Sequence, residues 1–278
     1  MAGGYWMVRT IRSGDVIEKS QFYVGERKPR ADRKKGSSSR AKLEQNKNAA
    51  VRQLARQMNC NNRKGDLMLT GEFDDAHLPS DKAGADKIAA LAWRRLCREL
   101  KKEGVTLRGF WSTADKDAET GEAARLHVHA VISGEGVKVE WDEETGKLTS
   151  CRIGQRELAD IWGQGGVHVT PLREQKDYSP LAVYIVRQAA ERPDGKKWHP
   201  TRNLLKPVIE SERVCAYPRV LRAPGGATVH EVGHYDELTG SHYIRYTRKP
   251  KTEKLGGHKE RALWEPPESC EDVNKSQV

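Results

Sequence analysis

The sequence predicts an α+β fold: a central, mostly antiparallel β-sheet with flanking helices, and an extra β-hairpin at each end. Three observations carry that expectation. Short runs rich in β-branched and aromatic residues recur at 67–73, 106–113, 126–133 and Val167–Pro171. Two stretches with helical apolar spacing, 80–103 and 179–192, are interleaved with them. The resulting order, strand–helix–strand–strand–helix–strand–helix, suits one sheet with its helices on one face.

Taken in chain order, residues 5–24 read as a hairpin, YWMVRTI turning at Ser13-Gly14-Asp15 into VIEKSQFYV. A basic segment, 25–64, follows, with Ser37-Ser38-Ser39 as a flexible joint. It contains a short helix at 48–58, where Val51, Leu54, Ala55 and Met58 share a face and Arg52 and Arg56 are exposed. LMLTGEF (67–73) is a strand. In the helix at 80–103, Ser80 is the expected cap, Ile88, Leu91, Ala92, Leu96 and Leu100 the apolar stripe, and Gly104 the stop. The strands TLRGFWST and LHVHAVIS are joined by the polar loop ADKDAETGEAAR. A variable hairpin around 142–146 leads to a short helix at 155–162, and a glycine turn (Gly163, Gly165, Gly166) opens the strand Val167–Pro171. Ser179 as cap and Pro180 at the first helical position start the helix LAVYIVRQAAER. KKWHPTRNLLKP is loop-like, 231–248 forms a last hairpin turning at Leu238-Thr239-Gly240, and the Pro-, Glu- and Lys-rich tail 249–278 is expected to be disordered. The expected organisation is an N-terminal hairpin (1–24), a basic segment with a short helix (25–64), a core domain (65–207), a C-terminal hairpin extension (208–248) and the tail.

The 278 residues carry a net charge of +10 and a pI near 9.3, which points to a polyanionic partner. The charge sits in one block. Residues 25–64 hold 13 Lys/Arg against 3 Asp/Glu, and the rest of the chain holds 36 of each sign. Arg27, Lys28, Arg30, Arg33, Lys34, Lys35, Arg52 and Arg56 of this block are candidate phosphate contacts, with Lys197 and Arg202 further along. The five cysteines are scattered and never spaced as CxxC, which argues against a disulfide framework or a structural zinc site and for a reducing compartment. No apolar run approaches the roughly 18–20 residues of a membrane helix, and the start lacks the apolar core of a signal peptide. A cytoplasmic protein of a bacterial host, without a membrane partner, is expected.

Two features carry chemistry. His127 and His129 lie two apart on a strand, so their imidazoles project from one face while Val128 turns to the core. That places two nitrogen donors side by side for one divalent metal. Tyr184 lies inside the last strong helix and shares a polar stripe with Arg187, Gln188 and Glu191, opposite Leu181, Ala182, Ile185 and Ala189. A nearby cation such as Arg187 favours the phenolate or binds phosphate.

These motifs resemble those of the HUH endonucleases, and within them the rolling-circle replication initiators of plasmids and phages. The resemblance runs from about Asn59 to Pro207. NCNNRKGDLMLTGEF is similar to the family's hydrophobic strand with a threonine-containing turn, HVHAVI to its two-histidine motif, and WGQGGVHVTPL with SPLAVYIVRQ to its strand and tyrosine helix. KKWHPTRNLLKP resembles a segment that often follows that helix. The family fold is ferredoxin- or RRM-like. The resemblance implies Mg²⁺ or Mn²⁺ held by His127, His129 and an acidic residue, with Asp115 favoured and Glu119 and Glu122 in the following loop as alternatives. It further implies that Tyr184 attacks single-stranded DNA at a replication origin, giving a 5′-phosphotyrosine and a free 3′-hydroxyl, with Arg187 as charge stabiliser. The second tyrosine of some phage-type initiators is replaced here by Gln188. Tyr178, at the helix entrance, is the reserve nucleophile, although packing suits it better. His168 reads as a structural or DNA-facing strand residue, Trp162 as core, and Trp198 with His199 as a possible stacking platform. No GxxxxGK[ST] loop is present, so unwinding and synthesis would fall to a host helicase and polymerase. The competing readings are an HUH-type transposase or relaxase, a cupin-type metal barrel built on Gly121, His127, His129 and Glu135, and a non-catalytic nucleic-acid-binding protein.

Overall fold

The computed structural model describes residues 4–25, 40–142, 144, 148–189, 196–214, 219–236 and 239–248. The candidate contacts Arg27, Lys28, Arg30, Arg33, Lys34 and Lys35, the serine joint, most of the turn at 142–146, Glu191 and the tail lie outside these residues. The elements are β1 (Tyr5–Ser13), β2 (Val16–Val24), α1 (Arg40–Asn61), β3 (Leu67–Glu72), α2 (Lys82–Lys102), β4 (Gly109–Lys116), β5 (Ala123–Ile132), β6 (Lys138–Trp141), β7 (Leu148–Ile153), β8 (Arg156–Glu157), α3 (Leu158–Trp162), β9 (Val167–Pro171), α4 (Ser179–Gln188), β10 (His199–Pro200), β11 (Val208–Val214), β12 (Thr228–Val232) and β13 (His242–Thr247). Among the described residues no helix is long and apolar enough to cross a membrane.

The chain divides into two compact units, not the five segments expected. The first gathers both ends of the chain into one sheet of order β11-β1-β2-β13-β12. Strand β13 pairs antiparallel with β2 from His242↔Gln21 to Thr247↔Val16, so the two end hairpins form one structure. Gln21 secures the join: its side-chain amide donates to the carbonyls of Gly240 (2.7 Å) and Arg219 (3.1 Å). Ile17, Ile244 and Tyr246 form a small core on this sheet, with Leu221, Ala223 and Ala227 packed against it.

The second unit holds a five-stranded antiparallel sheet of order β10-β4-β5-β3-β9 and a small sheet β6-β7-β8. Its helices cover both faces of the larger sheet, where the sequence suggested one. The alternation along β5 shows why. Val128, Ala130 and Ile132 enter a core with α2 and α3, while Val131 enters a second core with α1 and α4. A strand buried on both sides needs apolar residues at consecutive positions, and LHVHAVIS supplies them from Ala130 to Ile132.

Several boundaries differ from the expected ones for local reasons. Helix α2 is capped by Asp81 rather than Ser80, its Oδ1 accepting from Gly84 N at 2.7 Å. Its buried stripe is Ala85, Ala89, Ala92, Leu96 and Leu100, which leaves Leu91 47% exposed. Ser179 is the first residue of α4, not its cap. The carboxylate of Asp177 takes the capping role, accepting from Ser179 N (3.0 Å) and Ser179 Oγ (2.7 Å). Helix α1 is twice as long as expected and packs along α4 through Leu54, Ala55 and Met58 against Ala182, Ile185 and Val186. Asn59 at its end joins the two helices: its Oδ1 accepts from Tyr178 N (2.7 Å) and its Nδ2 donates to Asp177 Oδ1 (3.1 Å).

Two stability predictions follow this packing. Leu54→Ala, at a fully buried site between α1 and α4, lowers the free energy of unfolding by about 2–5 kcal/mol. Asp177→Ala, which strands three donors, costs roughly 1–2 kcal/mol. Denaturant melts followed by circular dichroism measure both, and a loss under about 0.5 kcal/mol at either site contradicts the assigned contact.

Candidate active site

Beyond the apolar part of β5, the strand's α4-facing side changes character. Moving toward its start, Val131 is followed by His129, His127 and Arg125, all of one parity. Register sets their neighbours: Thr70 and Ser112 flank His129, and Glu72 and Ala114 flank His127. His168 on β9 lies across from Thr70. One patch of sheet therefore presents three histidines, a threonine and a glutamate.

The two histidines of the motif converge. Their Nε2 atoms are 3.1 Å apart and their rings nearly perpendicular at 84°. His127 Nδ1 is 2.8 Å from the carbonyl oxygen of Arg125, which only accepts, so Nδ1 carries the proton and Nε2 a lone pair. His129 Nδ1 is 3.2 Å from Thr70 Oγ1, which likewise leaves its Nε2 for the shared position. Only 2% of His129 is exposed, and burial, with the charge of His127 second, pushes its pKa down to about 4, opposed by a hydrogen bond that Gln188 accepts from the ring. At neutral pH it is the uncharged imidazole that a metal requires.

Helix α4 is docked over this patch by its C-terminal end. Ala189, just past the helix, bridges to Ala114 of β4, the residue paired with His127. Tyr184 then reaches the histidines, its ring centroid 5.5 Å from that of His129, and remains 40% exposed. Gln188, one turn on, is buried; its Nε2 donates to Tyr184 O at 3.3 Å while its side chain holds His129. His127, His129 and Tyr184 line an open cleft of about 610 Å³ with Thr70, Glu72, Asp74, Asp75 and Arg125.

The donor set suits a divalent cation. Two lone pairs facing each other at 3.1 Å repel unless a proton or a metal lies between them, and imidazole with carboxylate is a common pairing for such ions. Among the described residues no group of three or more His, Cys, Asp and Glu is already gathered around one point. Asp115 is not brought to the histidines. It follows Ala114 on β4, falls on the opposite side of the sheet and pairs with Lys82 of α2, beside the Thr113–Asp86 hydrogen bond. Glu119 and Glu122 stay in the exposed loop organised by Asp117. The carboxylate that shares the face is Glu72, across from His127, with Oε1 3.5 Å from His168 Nε2. Its place is fixed from beneath. Gly71 lets the Trp162 indole lie against β3, where an added Cβ would come within 3.0 Å of the ring, and Trp162 Nε1 donates to Glu72 O at 2.8 Å.

The other candidates divide clearly. Tyr178 is 4% exposed, its hydroxyl turned to Arg173 O and its pKa raised by burial, so it packs and does not reach the cleft. Arg187 is exposed in the last turn of α4 and does not line the cleft; the cation that does is Arg125, held by Phe73 O (3.1 Å) and Asp75 (2.7 Å). Lys197 lies close, because its carbonyl accepts from Ser112 Oγ at 2.6 Å and Ser112 pairs with His129. Arg202 lies beyond the Gly109 end of β4, away from the histidines, and Arg52 and Arg56 lie on α1. Trp198 and His199 spend their rings on Phe110 and Trp111, and Trp162 is core as expected. Glu72, Arg125 and Gln188 were missed, although the first two share the two-residue period of Thr70 and the histidines. Comparison of the chain with family models, curated proteins and solved structures found no match.

Proposed function

We propose that this chain is a metal-dependent, tyrosine-type endonuclease that nicks single-stranded DNA at an origin to start rolling-circle replication. The observation that carries the reading is the convergence of His127 Nε2 and His129 Nε2 beneath an exposed Tyr184 in an open cleft. His127, His129 and Glu72 would hold Mg²⁺ or Mn²⁺, which when bound polarises the scissile phosphate as a Lewis acid. Thr70, Gln188 and the Arg125 carbonyl orient the imidazoles. Tyr184 gives its phenolic proton to solvent, its Oη bonds to phosphorus, and the bond from phosphorus to the 3′-oxygen breaks. That oxygen takes up a proton and leaves as the 3′-hydroxyl. The phosphotyrosine conserves the bond energy for later rejoining, and the 3′-hydroxyl primes synthesis by a host polymerase behind a host helicase. The exposed Arg125 at the rim suits the strand's phosphates.

Labelled single-stranded fragments tiling the DNA around the gene, incubated with Mn²⁺ or EDTA, test the chemistry. A Mn²⁺-dependent covalent protein–DNA band is expected for the wild type and for Tyr178→Phe, and none for Tyr184→Phe. Adduct surviving in Tyr184→Phe removes that residue from the role of nucleophile; tight binding without cleavage of any fragment supports a DNA-binding protein lacking catalysis.

Metal affinity separates the carboxylates. Glu72→Gln weakens Mn²⁺ binding at least about tenfold, since even outer-shell losses cost about 10–100-fold, whereas Asp115→Asn leaves it unchanged. Calorimetric titration reads both, and equal losses in the two variants refute the assignment of Glu72.

A further inference from the structure

Helix α1 has a second face that the cleft does not use. Its inner side is buried through Leu54, Ala55 and Met58, with Val51 alongside. At roughly 100° per residue, Lys42, Gln45, Asn46, Arg52, Gln53 and Arg56 fall on one stripe on the opposite side. The first five are exposed and Arg56 is half-buried. Glu44, the one acidic residue of the helix, turns to the side of Val51, Ala55 and Met58, so the stripe holds cations and amides without a carboxylate. Residues 41–46 are exposed on every side, so the first turns stand clear of the rest of their unit.

This composition differs from that of an ordinary solvated face, which mixes charges of both signs. A face that only followed phosphates would need lysine and arginine alone. Here amides alternate with the cations, although asparagine is a poor helix former in water. Glutamine and asparagine match the N6 and N7 edge of adenine, arginine matches the O6 and N7 edge of guanine, and the major groove of B-DNA is wide enough for a helix. Ala49, in the middle of the stripe, keeps the surface low between Gln45 and Arg52.

We propose that the outer face of α1 is a reading helix for the major groove of duplex DNA, giving the protein sequence preference at its origin before any strand is opened. The stripe from Lys42 to Arg56 is about 21 Å long at 1.5 Å per residue, which covers about six base pairs. The inference rests on the chain being a DNA-binding protein and is independent of its cleavage chemistry.

Selection from a pool of 30-base-pair duplexes with a randomised centre, using the full chain in EDTA, tests it. Enrichment of a consensus of about four to six base pairs is expected. Gln45→Ala and Gln53→Ala each relax a different position of that consensus by about tenfold. Both changes favour helix, and unchanged thermal melts confirm folding. A pool that stays unenriched, a consensus that both variants leave intact, or tighter binding to an RNA stem-loop than to any selected duplex overturns the proposal. Because EDTA silences cleavage, a chain that nicks single strands yet enriches no duplex refutes this inference alone. A chain that enriches a consensus but cuts nothing refutes the nickase alone.

Discussion

Burial of the central sheet on both faces is the constraint from which the site follows. Strand β5 is its middle strand, and from Val128 to Ile132 every residue is buried. Within that run His129 occupies a position that faces α4, where a bare polar ring would be costly. The fold compensates with partners on three sides: Thr70 from β3, Gln188 from α4 and His127 from the same strand. The same burial holds the ring neutral, so the price of placing an imidazole there is also what leaves it as a lone-pair donor. His127, two residues nearer the strand's start, is already half-exposed. The pair thus spans the boundary between core and cleft.

Helix α4 divides its residues along the same boundary. Ala182, Ile185 and Val186 enter the core with α1, and Tyr184 is left at the cleft's edge. Gln188 is four residues on, only about 40° further round the helix, yet it is almost wholly buried against His129 because the chain bends down there to meet Ala114. A tyrosine at that position would have to enter space now filled by the glutamine, the β4 bridge and the histidine. Glutamine at position 188 therefore has a packing basis: this helix end positions one tyrosine and uses its next turn to brace a histidine.

Legibility in the sequence tracked the range of the interaction involved. The two-residue spacing of the histidines, the amphipathic helices and the exposure of Tyr184 depend on neighbours within a few positions and were readable. Pairings across the fold were not. Asp115 looked suitable because it follows a strand near the histidines, but one residue of parity turned it to Lys82 on the other face. Glu72 became visible only once register set it beside His127, 55 positions away. The union of the end hairpins through β2 and β13 spans over 200 residues, and nothing local announces it. Trp198 and His199, whose basic surroundings suggested a stacking platform, are consumed by Phe110 and Trp111 across the β4–β10 pair.

The packing of α1 on α4 gives these parts a mechanical relation. Leu54, Ala55 and Met58 set the spacing between the helices, and Asn59 fixes their register by accepting from Tyr178 N at the start of α4. Tyr184 lies less than two turns further along. On the proposed reading, one face of α1 grips duplex while its other face supports the helix that bears the nucleophile. A change of helix position at either end is then transmitted through close-packed side chains, which yield little in length. Binding at the duplex and placement of the scissile strand become linked through one interface, and the strength of that link depends on how tightly Leu54 and Met58 are seated.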